Sequence, residues 1–324
     1  MFAQLINTLK KSPKTIVFTE GTDPRILEAS ARLLSGNFLK PVLVGNPDEI
    51  AAAAEDIGFN IRGAEIIDPE NFDGMDEMVD EMVTLRKGKM TADECRAALK
   101  KSNYFGTMLV KMGKADCLLG GATYSTADTV RPALQLIKTK PGNKIVSSCF
   151  IMVRPAASGE NEVLAMADCA INIKPNEDEL VEICKETVSC AKIFGVDPKV
   201  AFLSYSTLGS GKGEDVDKMR NACEKAKALM PDIPIGGEFQ FDAAVSPAVA
   251  KTKHITDAVG GHANTFIFPD INAGNIGYKI AQRLGGFEAY GPILQGLNAP
   301  INDLSRGCNA DEVYKMAIIT AGMA

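Results

Sequence analysis

The chain has few histidines, no long apolar run and no excess of positive charge, and each of these absences argues against one class of protein. The two histidines, His254 and His262, are too few for a histidine-rich metal site. No stretch reaches the roughly 18 consecutive apolar residues that a membrane-spanning helix needs. The 35 basic and 41 acidic residues give a formal net charge of -6, whereas nucleic-acid-binding domains usually carry a basic excess. We therefore expect neither a membrane segment nor a nucleic-acid partner.

The eight cysteines also lack a pattern, since none of them form the C-x-x-C pair of metal and redox sites. Most lie in apolar or helical surroundings, where cysteine behaves as a small hydrophobic residue. Residues 1–11 contain a short apolar stretch without a small-residue cleavage pattern, so no secretory signal is expected. These observations favour a reduced protein in the cytoplasm.

Short apolar runs alternate with amphipathic segments from the start of the chain. Residues 15–19 and 41–44 are predicted as buried strands, and 23–34 and 47–57 as the helices that follow them. The alternation continues and predicts strands at 64–67, 117–119, 144–153, 163–166, 200–205 and 265–268, and helices at 177–194, 215–229 and 276–284. This order is typical of an α/β protein with a largely parallel sheet. A length of 324 residues suggests two domains at about 150 residues each, and we place a boundary at the turn 140–143.

Residues 120–132 carry polar side chains directly after a predicted strand, where open α/β sheets bind their ligands. The segment combines a glycine turn, several hydroxyl groups and Arg131 ahead of a helix. The free N–H groups and the dipole at a helix start favour an anion. The alternative is a capped helix start without a ligand, with Ser125 or Thr126 as the cap and Asp128 in the first turn.

Three further polar segments follow predicted strands. Residues 18–25 come directly after the first strand, and 298–312 form a loop with a Ser-Arg-Gly turn ahead of a final helix. The alternative for the latter is a solvated loop whose helix start attracts acidic side chains. Residues 204–213 depart from the nucleotide-binding pattern G-x-x-x-x-G-K-[ST] at Ser206 and Gly213. We therefore predict a mobile glycine-rich loop there, without ATP binding.

Six stretches, in order and covering nearly the whole chain, together resemble the phosphate acetyltransferase family. They are FTEGTDPRILEA (18–29), LRKGK (85–89), STADTVRPALQLIKT (125–139), GGEFQFDAAVSP (236–247), NTFIFPDINAGNIGYKIAQRLGG (264–286) and NAPINDLSRGC (298–308). The resemblance implies two α/β domains of the isocitrate and isopropylmalate dehydrogenase fold, with the active site in the cleft between them. The C-terminal stretch would return to the first domain, so the expected domains are 1–142 plus 294–324 and 143–293. The family resemblance further implies a homodimer.

The same resemblance implies roles for individual residues. Ser305 and Arg306 would be catalytic, and Glu312 would be the base that takes the thiol proton of coenzyme A. The family position holds aspartate, and Asp311 precedes Glu312 here, so the choice between these two acids stays open. The residues expected to bind substrate are Arg86, which would bind coenzyme A, and Arg131, Arg25, Ser125, Thr126, Tyr278 and Asn298.

The implied reaction accounts for these residue types. Acetyl phosphate, coenzyme A and phosphate are anions, so arginines should converge on their site. Direct transfer between acetyl-CoA and phosphate needs no metal and no bound cofactor, since coenzyme A is a substrate. The nearest alternative is a phosphate butyryltransferase, which shares the fold and the reaction. A decarboxylating dehydrogenase is disfavoured because no G-x-G-x-x-G follows a strand. A regulatory domain, like the one that ends some malic enzymes, is disfavoured because Ser305 and Arg306 are both present.

Overall fold

The computed structural model describes residues 2–156 and 159–324. Their strands are β1 Lys14–Phe18, β2 Leu39–Val44, β3 Glu65–Ile67, β4 Cys117–Gly120, β5 Ser147–Pro155, β6 Asn161–Ala167, β7 Val200–Leu203, β8 Ile235–Phe239, β9 Thr265–Ile267, β10 Glu288–Gln295 and β11 Ile301–Asp303. Their helices are α1 Phe2–Lys11, α2 Pro24–Gly36, α3 Pro47–Asp56, α4 Met75–Arg86, α5 Ala92–Leu99, α6 Ser102–Lys111, α7 Thr126–Pro132, α8 Glu177–Ile193, α9 Glu214–Leu229, α10 Phe241–Val245, α11 Pro247–Thr252, α12 Ile271–Arg283 and α13 Ala310–Gly322. None of the helices in these ranges is long and apolar enough to cross a lipid bilayer.

The chain forms two compact units. One contains the residues up to Pro141 together with Leu297–Ala324, and the other contains Gly142–Gly296. The C-terminal segment belongs to the first unit because β11 pairs with β4 in its sheet and α13 packs against α1 and α2.

The first unit is built on a parallel sheet with the strand order β11-β4-β1-β2-β3. The central strand β1 buries Ile16, Val17 and Phe18 completely, as expected for a parallel strand covered by helices on both faces. Helix α2 begins where the carboxyl oxygen of Asp23 accepts the N–H of Arg25, with proline at its first position. Because β11, β4 and β1 are parallel neighbours, the segments that follow them lie at one edge of the sheet.

The second unit is built on a mixed sheet with the strand order β10-β5-β6-β9-β7-β8. Strands β10, β5 and β6 pair antiparallel, whereas β6, β9, β7 and β8 pair parallel. The expectation of a largely parallel sheet is therefore right for the first unit, whereas two of the five strand pairings in the second unit are antiparallel. Strand β5 turns directly into β6, and a hairpin of this kind needs no crossover helix.

Every strand and helix predicted from the alternating pattern corresponds to an element of the structure, with shifted ends. The helix predicted at 276–284 begins earlier, at Ile271, because the Asp270 side chain accepts the N–H of Ala273 at 3.0 Å and caps it. The pattern missed β10, whose Pro292 argues against a strand. Proline is tolerated there because β10 lies at the edge of its sheet and its register shifts between Tyr290 and Ile293. The pattern also missed β8, a short strand weakened by two glycines, and β11, which lies within the segment 298–312 that was expected to be a loop.

Candidate active site

Glu20 joins the segments after β1 and β4 in the first unit. Its buried carboxylate accepts the N–H of Gly121 at 3.0 Å, the N–H of Thr123 at 3.1 Å and the hydroxyl of Thr19 at 2.8 Å. Burial raises the pKa of Glu20, and these hydrogen bonds oppose the rise only in part. The Thr19 hydroxyl also lies 2.8 Å from the hydroxyl of Tyr124. The loop that follows β4 is therefore fixed by an acid of the loop that follows β1.

Asp303, at the end of β11, holds the start of α7 in place. Its buried carboxylate accepts the hydroxyls of Thr126 and Thr129, each at 2.6 Å. Burial raises the pKa of Asp303, and the two hydrogen bonds oppose this effect. The next residue, Leu304, donates its N–H to the carbonyl of Gly120 at 2.7 Å. The segments after β4 and β11 thus meet at the same edge, and the hydroxyl proton of Thr126 is directed to Asp303.

Arg25 contacts all three segments through its guanidinium group. Nε and Nη2 donate to the two carboxylate oxygens of Asp23 at 2.9 and 2.7 Å, and Nη2 also donates to the carbonyl of Ala122 at 2.9 Å. Nη1 donates to the carbonyls of Arg306 and Cys308 at 2.9 and 3.2 Å. Burial opposes ionisation of Asp23, but the hydrogen bonds from Arg25 outweigh it and lower the pKa of Asp23. Every N–H of the Arg25 side chain therefore has an acceptor within the protein.

The turn between β11 and α13 exposes Ser305 and Arg306. Cys308 closes the turn by donating its N–H to the carbonyl of Ser305 at 2.9 Å, and Gly307 donates to the Ser305 hydroxyl oxygen at 3.3 Å. Among residues 2–156 and 159–324, the guanidinium of Arg306 has no hydrogen-bond or ion-pair partner. Burial raises the pKa of Cys308 to about 11, although the nearby Arg25 lowers it. The turn thus offers a hydroxyl and a free guanidinium, while the Cys308 thiol stays protonated near neutral pH.

The two neighbouring acids at the start of α13 have different partners. Asp311 forms ion pairs with Arg32 and Lys315, each at 2.9 Å, and the hydrogen bond from Arg32 is the largest cause of its lowered pKa. Glu312 instead accepts the N–H of Asn309 at 2.9 Å, and Asn309 in turn accepts the N–H of Glu312 at 2.9 Å. This reciprocal pair is a capping box. Asp311 is therefore committed to two cations, whereas Glu312 caps its own helix.

The start of α7 matches the capped-helix alternative for Ser125. Ser125 precedes the helix, and its hydroxyl donates to the carboxylate of Asp128 at 2.7 Å. Because Thr126 also donates to an acid, neither hydroxyl proton is free for a ligand in this structure. Arg131 lies in the last turn of α7 with an exposed side chain, and it has no hydrogen-bond or ion-pair partner in the described part of the chain.

Arg86 and Asn298 lie in the same compact unit as this edge, but no hydrogen bond between described residues joins either side chain to it. Arg86 is the last residue of α4, and its Nε is buried without a hydrogen-bond partner. Such a group is uncommon, because buried N–H donors are nearly always paired. Asn298 is exposed, and its backbone N–H donates to the carbonyl of Lys138 at 3.0 Å.

Tyr278 belongs to the second compact unit. Its ring stacks on that of Phe150, with centroids 3.9 Å apart and planes 14° apart. Burial raises the pKa of its hydroxyl.

Glu238, also in the second unit, is a buried acid that the sequence analysis did not single out. It accepts the hydroxyl of Ser206 at 3.0 Å, the N–H of Gly209 at 2.7 Å and the Nε of Arg220 at 3.0 Å. Burial raises the pKa of Glu238, but the hydrogen bonds, with that from Arg220 the strongest, outweigh it and lower the value. The glycine-rich loop 204–213 is thereby fixed at two points. The sequence signal that could have pointed to Glu238 is its position directly after two glycines at a strand end.

Comparison with known proteins assigns the chain to a family. The model of the phosphate acetyl/butaryl transferase family matches residues 1–321. The phosphate acetyltransferase of Bacillus subtilis strain 168 is 53% identical over 309 residues, which cover 95% of this chain and 94% of the relative. A phosphotransacetylase structure from Streptococcus pyogenes superposes with a TM-score of 0.94 at 50% identity, covering 99% of this chain and 98% of the other. A 4-hydroxythreonine-4-phosphate dehydrogenase from Salmonella typhimurium, at a TM-score of 0.57 and 11% identity, shares the fold alone.

These similarities define an acyltransferase on a dehydrogenase-like α/β fold, as the sequence resemblance predicted. The chain belongs to the phosphate acetyl/butaryl transferase family. Within residues 2–156 and 159–324, no group of three or more histidine, cysteine and acidic side chains is arranged to hold a metal ion.

Proposed function

We propose that this chain is a phosphate acetyltransferase that moves an acetyl group reversibly between acetyl-CoA and inorganic phosphate. Relatives with that name are about half identical to it over nearly its whole length. The structural observation that carries the proposal is the Ser305–Arg306 turn, where an unpartnered guanidinium and a hydroxyl are exposed at the carboxyl edge of a parallel sheet. Coenzyme A enters as a substrate, and the proposed reaction uses no further cofactor.

In the proposed step, the thiolate of coenzyme A attacks the carbonyl carbon of acetyl phosphate. A carbon–sulfur bond forms, the bond between the carbonyl carbon and the bridging phosphate oxygen breaks, and phosphate leaves with the bonding electrons. Negative charge develops on the carbonyl oxygen during the attack. The Arg306 guanidinium would stabilise that charge, with the Ser305 hydroxyl as a second donor. Both groups are exposed, and neither the guanidinium nor the hydroxyl proton has an acceptor among the described residues.

The thiol proton requires a base, because a thiol is a weak nucleophile until it loses its proton. We assign this role to Glu312 rather than to Asp311. The ion pairs of Asp311 with Arg32 and Lys315 stabilise its charged form and occupy its carboxylate. Only one carboxylate oxygen of Glu312, Oε2, accepts a hydrogen bond from Asn309, so Oε1 remains to accept a proton.

Arg86 and Arg131 are the proposed anchors for the phosphates of coenzyme A. The exposed, unpartnered guanidinium of Arg131 supports this role, since bound phosphate would supply an acceptor, and for Arg86 the role rests on the family resemblance. Substrate contacts by Tyr278, Asn298, Ser125 and Thr126 stay predictions from the family resemblance, and for the last two the backbone N–H is the donor left to a ligand.

The function is tested by following acetyl-CoA formation from acetyl phosphate and coenzyme A at the thioester absorbance, with EDTA present and NAD absent. Fast turnover is expected. Butyryl phosphate in the same assay separates the acetyl enzyme from a butyryl enzyme. Its two extra methylenes should lower kcat/KM on the order of 10-fold or more in a pocket shaped for acetyl. Faster transfer of butyryl than of acetyl would contradict the assignment.

We further propose that the two compact units are two domains, that the enzyme is a homodimer, and that it works in a reducing cytoplasm. All eight cysteines are free and buried, which agrees with a reducing compartment. For the dimer, Ile276 and Ile280 of α12 and Leu284, which directly follows it, are exposed to 57%, 54% and 85% of their full area. Residues four apart lie on one face of a helix, and such an apolar stripe is typical of an interface. Ile280→Lys should dissociate the dimer in sedimentation experiments, whereas Leu229→Lys, at another exposed leucine, should not.

A further inference from the structure

Arg25 differs from the other arginines of the candidate site in how its guanidinium is used. A guanidinium has five N–H donors. In Arg25 these are occupied by the two oxygens of Asp23 and by the carbonyls of Ala122, Arg306 and Cys308. Arg86, Arg131 and Arg306, by contrast, have unpartnered guanidinium N–H groups in the described part of the chain. A phosphate could bind Arg25 only by displacing an existing acceptor.

The acceptors of Arg25 lie on each of the three segments at the carboxyl edge of the first sheet. Asp23 follows β1, Ala122 follows β4, and Arg306 and Cys308 follow β11. Two of the acceptors are carbonyls of the exposed turn, two residues apart, and one terminal nitrogen donates to both. The Arg306 backbone is therefore fixed at its own carbonyl, while its side chain is left free.

We propose that Arg25 is a positioning residue, which fixes the Ser305–Arg306 turn for the transfer step and does not bind coenzyme A or phosphate. This inference rests on the proposed function, because it assumes that Arg306 acts on the reacting carbonyl group. It replaces the substrate-binding role that the family resemblance implied for Arg25.

The acceptors around Arg25 require the planar shape of its guanidinium as well as its charge. A lysine has one ammonium group with three donors and cannot reach acceptors spread around a planar fork. Asp23 holds the fork in its orientation through both carboxylate oxygens, and its side chain is only 9% exposed. Asp23 is also the cap of α2, a role that asparagine fills equally well. Asp23→Asn therefore removes the charge that orients Arg25 while keeping the helix cap.

The experiment compares Arg25→Lys, Arg25→Ala and Asp23→Asn with the wild-type enzyme, using kcat and the KM values for acetyl phosphate and coenzyme A. A displaced catalytic group commonly costs about 10²-fold in rate. We expect kcat to fall about 10- to 100-fold in all three variants, with KM values within about 3-fold of wild type. Added guanidinium ion should restore part of the kcat of Arg25→Ala. Arg96→Gln, which removes an exposed arginine–aspartate pair of the same unit, is the matched control and should be unchanged.

A substrate-binding role predicts the opposite pattern. Arg25 variants would then raise one KM more than about 10-fold with little change in kcat, and Asp23→Asn would lower that KM because the freed guanidinium binds anions better. Either result overturns the proposal. If the Arg25 variants fail to fold, Asp23→Asn decides alone, since its cap is preserved. A wild-type chain that forms no acetyl-CoA would instead refute the proposed function.

Discussion

Replacing the Arg306 side chain should lower the activity of the enzyme without lowering its stability. The Arg306 carbonyl accepts a hydrogen bond from Arg25 at 2.9 Å, but its exposed guanidinium has no partner among residues 2–156 and 159–324. Arg306→Ala therefore removes no hydrogen bond or ion pair of the described residues. Exposed substitutions of this kind usually change the free energy of unfolding by about 0.5 kcal/mol or less.

The loss of transition-state stabilisation should be much larger. Removing one donor that stabilises a developing oxyanion typically costs about 2.7–4 kcal/mol, or about 10² to 10³ in kcat. We expect this loss for Arg306→Ala, with a smaller change in the KM for coenzyme A. Arg306→Lys keeps the charge without the planar fork, so its kcat should lie between those of the wild type and Arg306→Ala.

The assay combines initial rates of acetyl-CoA formation at saturating substrates with thermal unfolding of the same preparations. A variant with the Tm of wild type and a kcat about 10² to 10³ lower supports the argument. Near-normal turnover in a folded Arg306→Ala protein would refute it, because the charge that develops on the carbonyl oxygen would then not need stabilisation by this guanidinium.

Three further outcomes can be measured with the same assay. Arg86→Ala should raise the KM for coenzyme A and change kcat less, because an anchor for a distal phosphate contributes uniform binding; a rise only for acetyl phosphate would place Arg86 elsewhere in the site. Glu312→Gln should lower kcat by about 10² to 10⁴, and the loss should shrink at high pH as free thiolate accumulates. If Asp311→Asn lost activity while Glu312→Gln kept it, Asp311 would be the base. Because hydrogen bonds from Arg32 and Lys315 lower the pKa of Asp311, its stabilising effect is present above the usual aspartate pKa and is lost as pH falls through the lowered value. Asp311→Asn should therefore lower Tm slightly at pH 7, and its difference from wild type should shrink as pH falls below the usual aspartate pKa.

The alternating pattern predicted the main strands and helices because burial on both faces of a parallel strand leaves a continuous apolar run in the sequence. Strand β1, with Ile16, Val17 and Phe18 fully buried, is an example. The pattern failed where backbone pairing overrides composition. Strand β10 contains Pro292, yet it pairs along β5 from Glu288 to Gln295 with a register shift. Edge position and a bulge permit this, and neither can be derived from local sequence.

For the candidate site, the sequence singled out the three segments that lie at the carboxyl edge of the first sheet, but it did not show how each side chain is used. The exposed turn followed from its motif, whereas the supporting acids did not. Glu20 and Asp303 look like ordinary polar residues at strand ends, and only pairing of three distant strands buries them and supplies their donors. Arg25 shows the same limit, because three of its five acceptors are backbone carbonyls 97 to 283 positions away. Local sequence does not encode such partners.

The two acids of α13 show how a fold separates residues that the sequence leaves equivalent. Asp311 and Glu312 are adjacent, so their side chains project about 100° apart around the helix. Asp311 therefore meets Arg32 of α2 and Lys315 one turn on, and protonating it would break two ion pairs. Glu312 turns back to the N–H of Asn309, within the same turn that presents Ser305 and Arg306. A base must accept a proton without losing the contacts that place it. In the proposed reaction, Oε2 of Glu312 would keep its backbone hydrogen bond while Oε1 took the proton, whereas Asp311 would lose its two ion pairs.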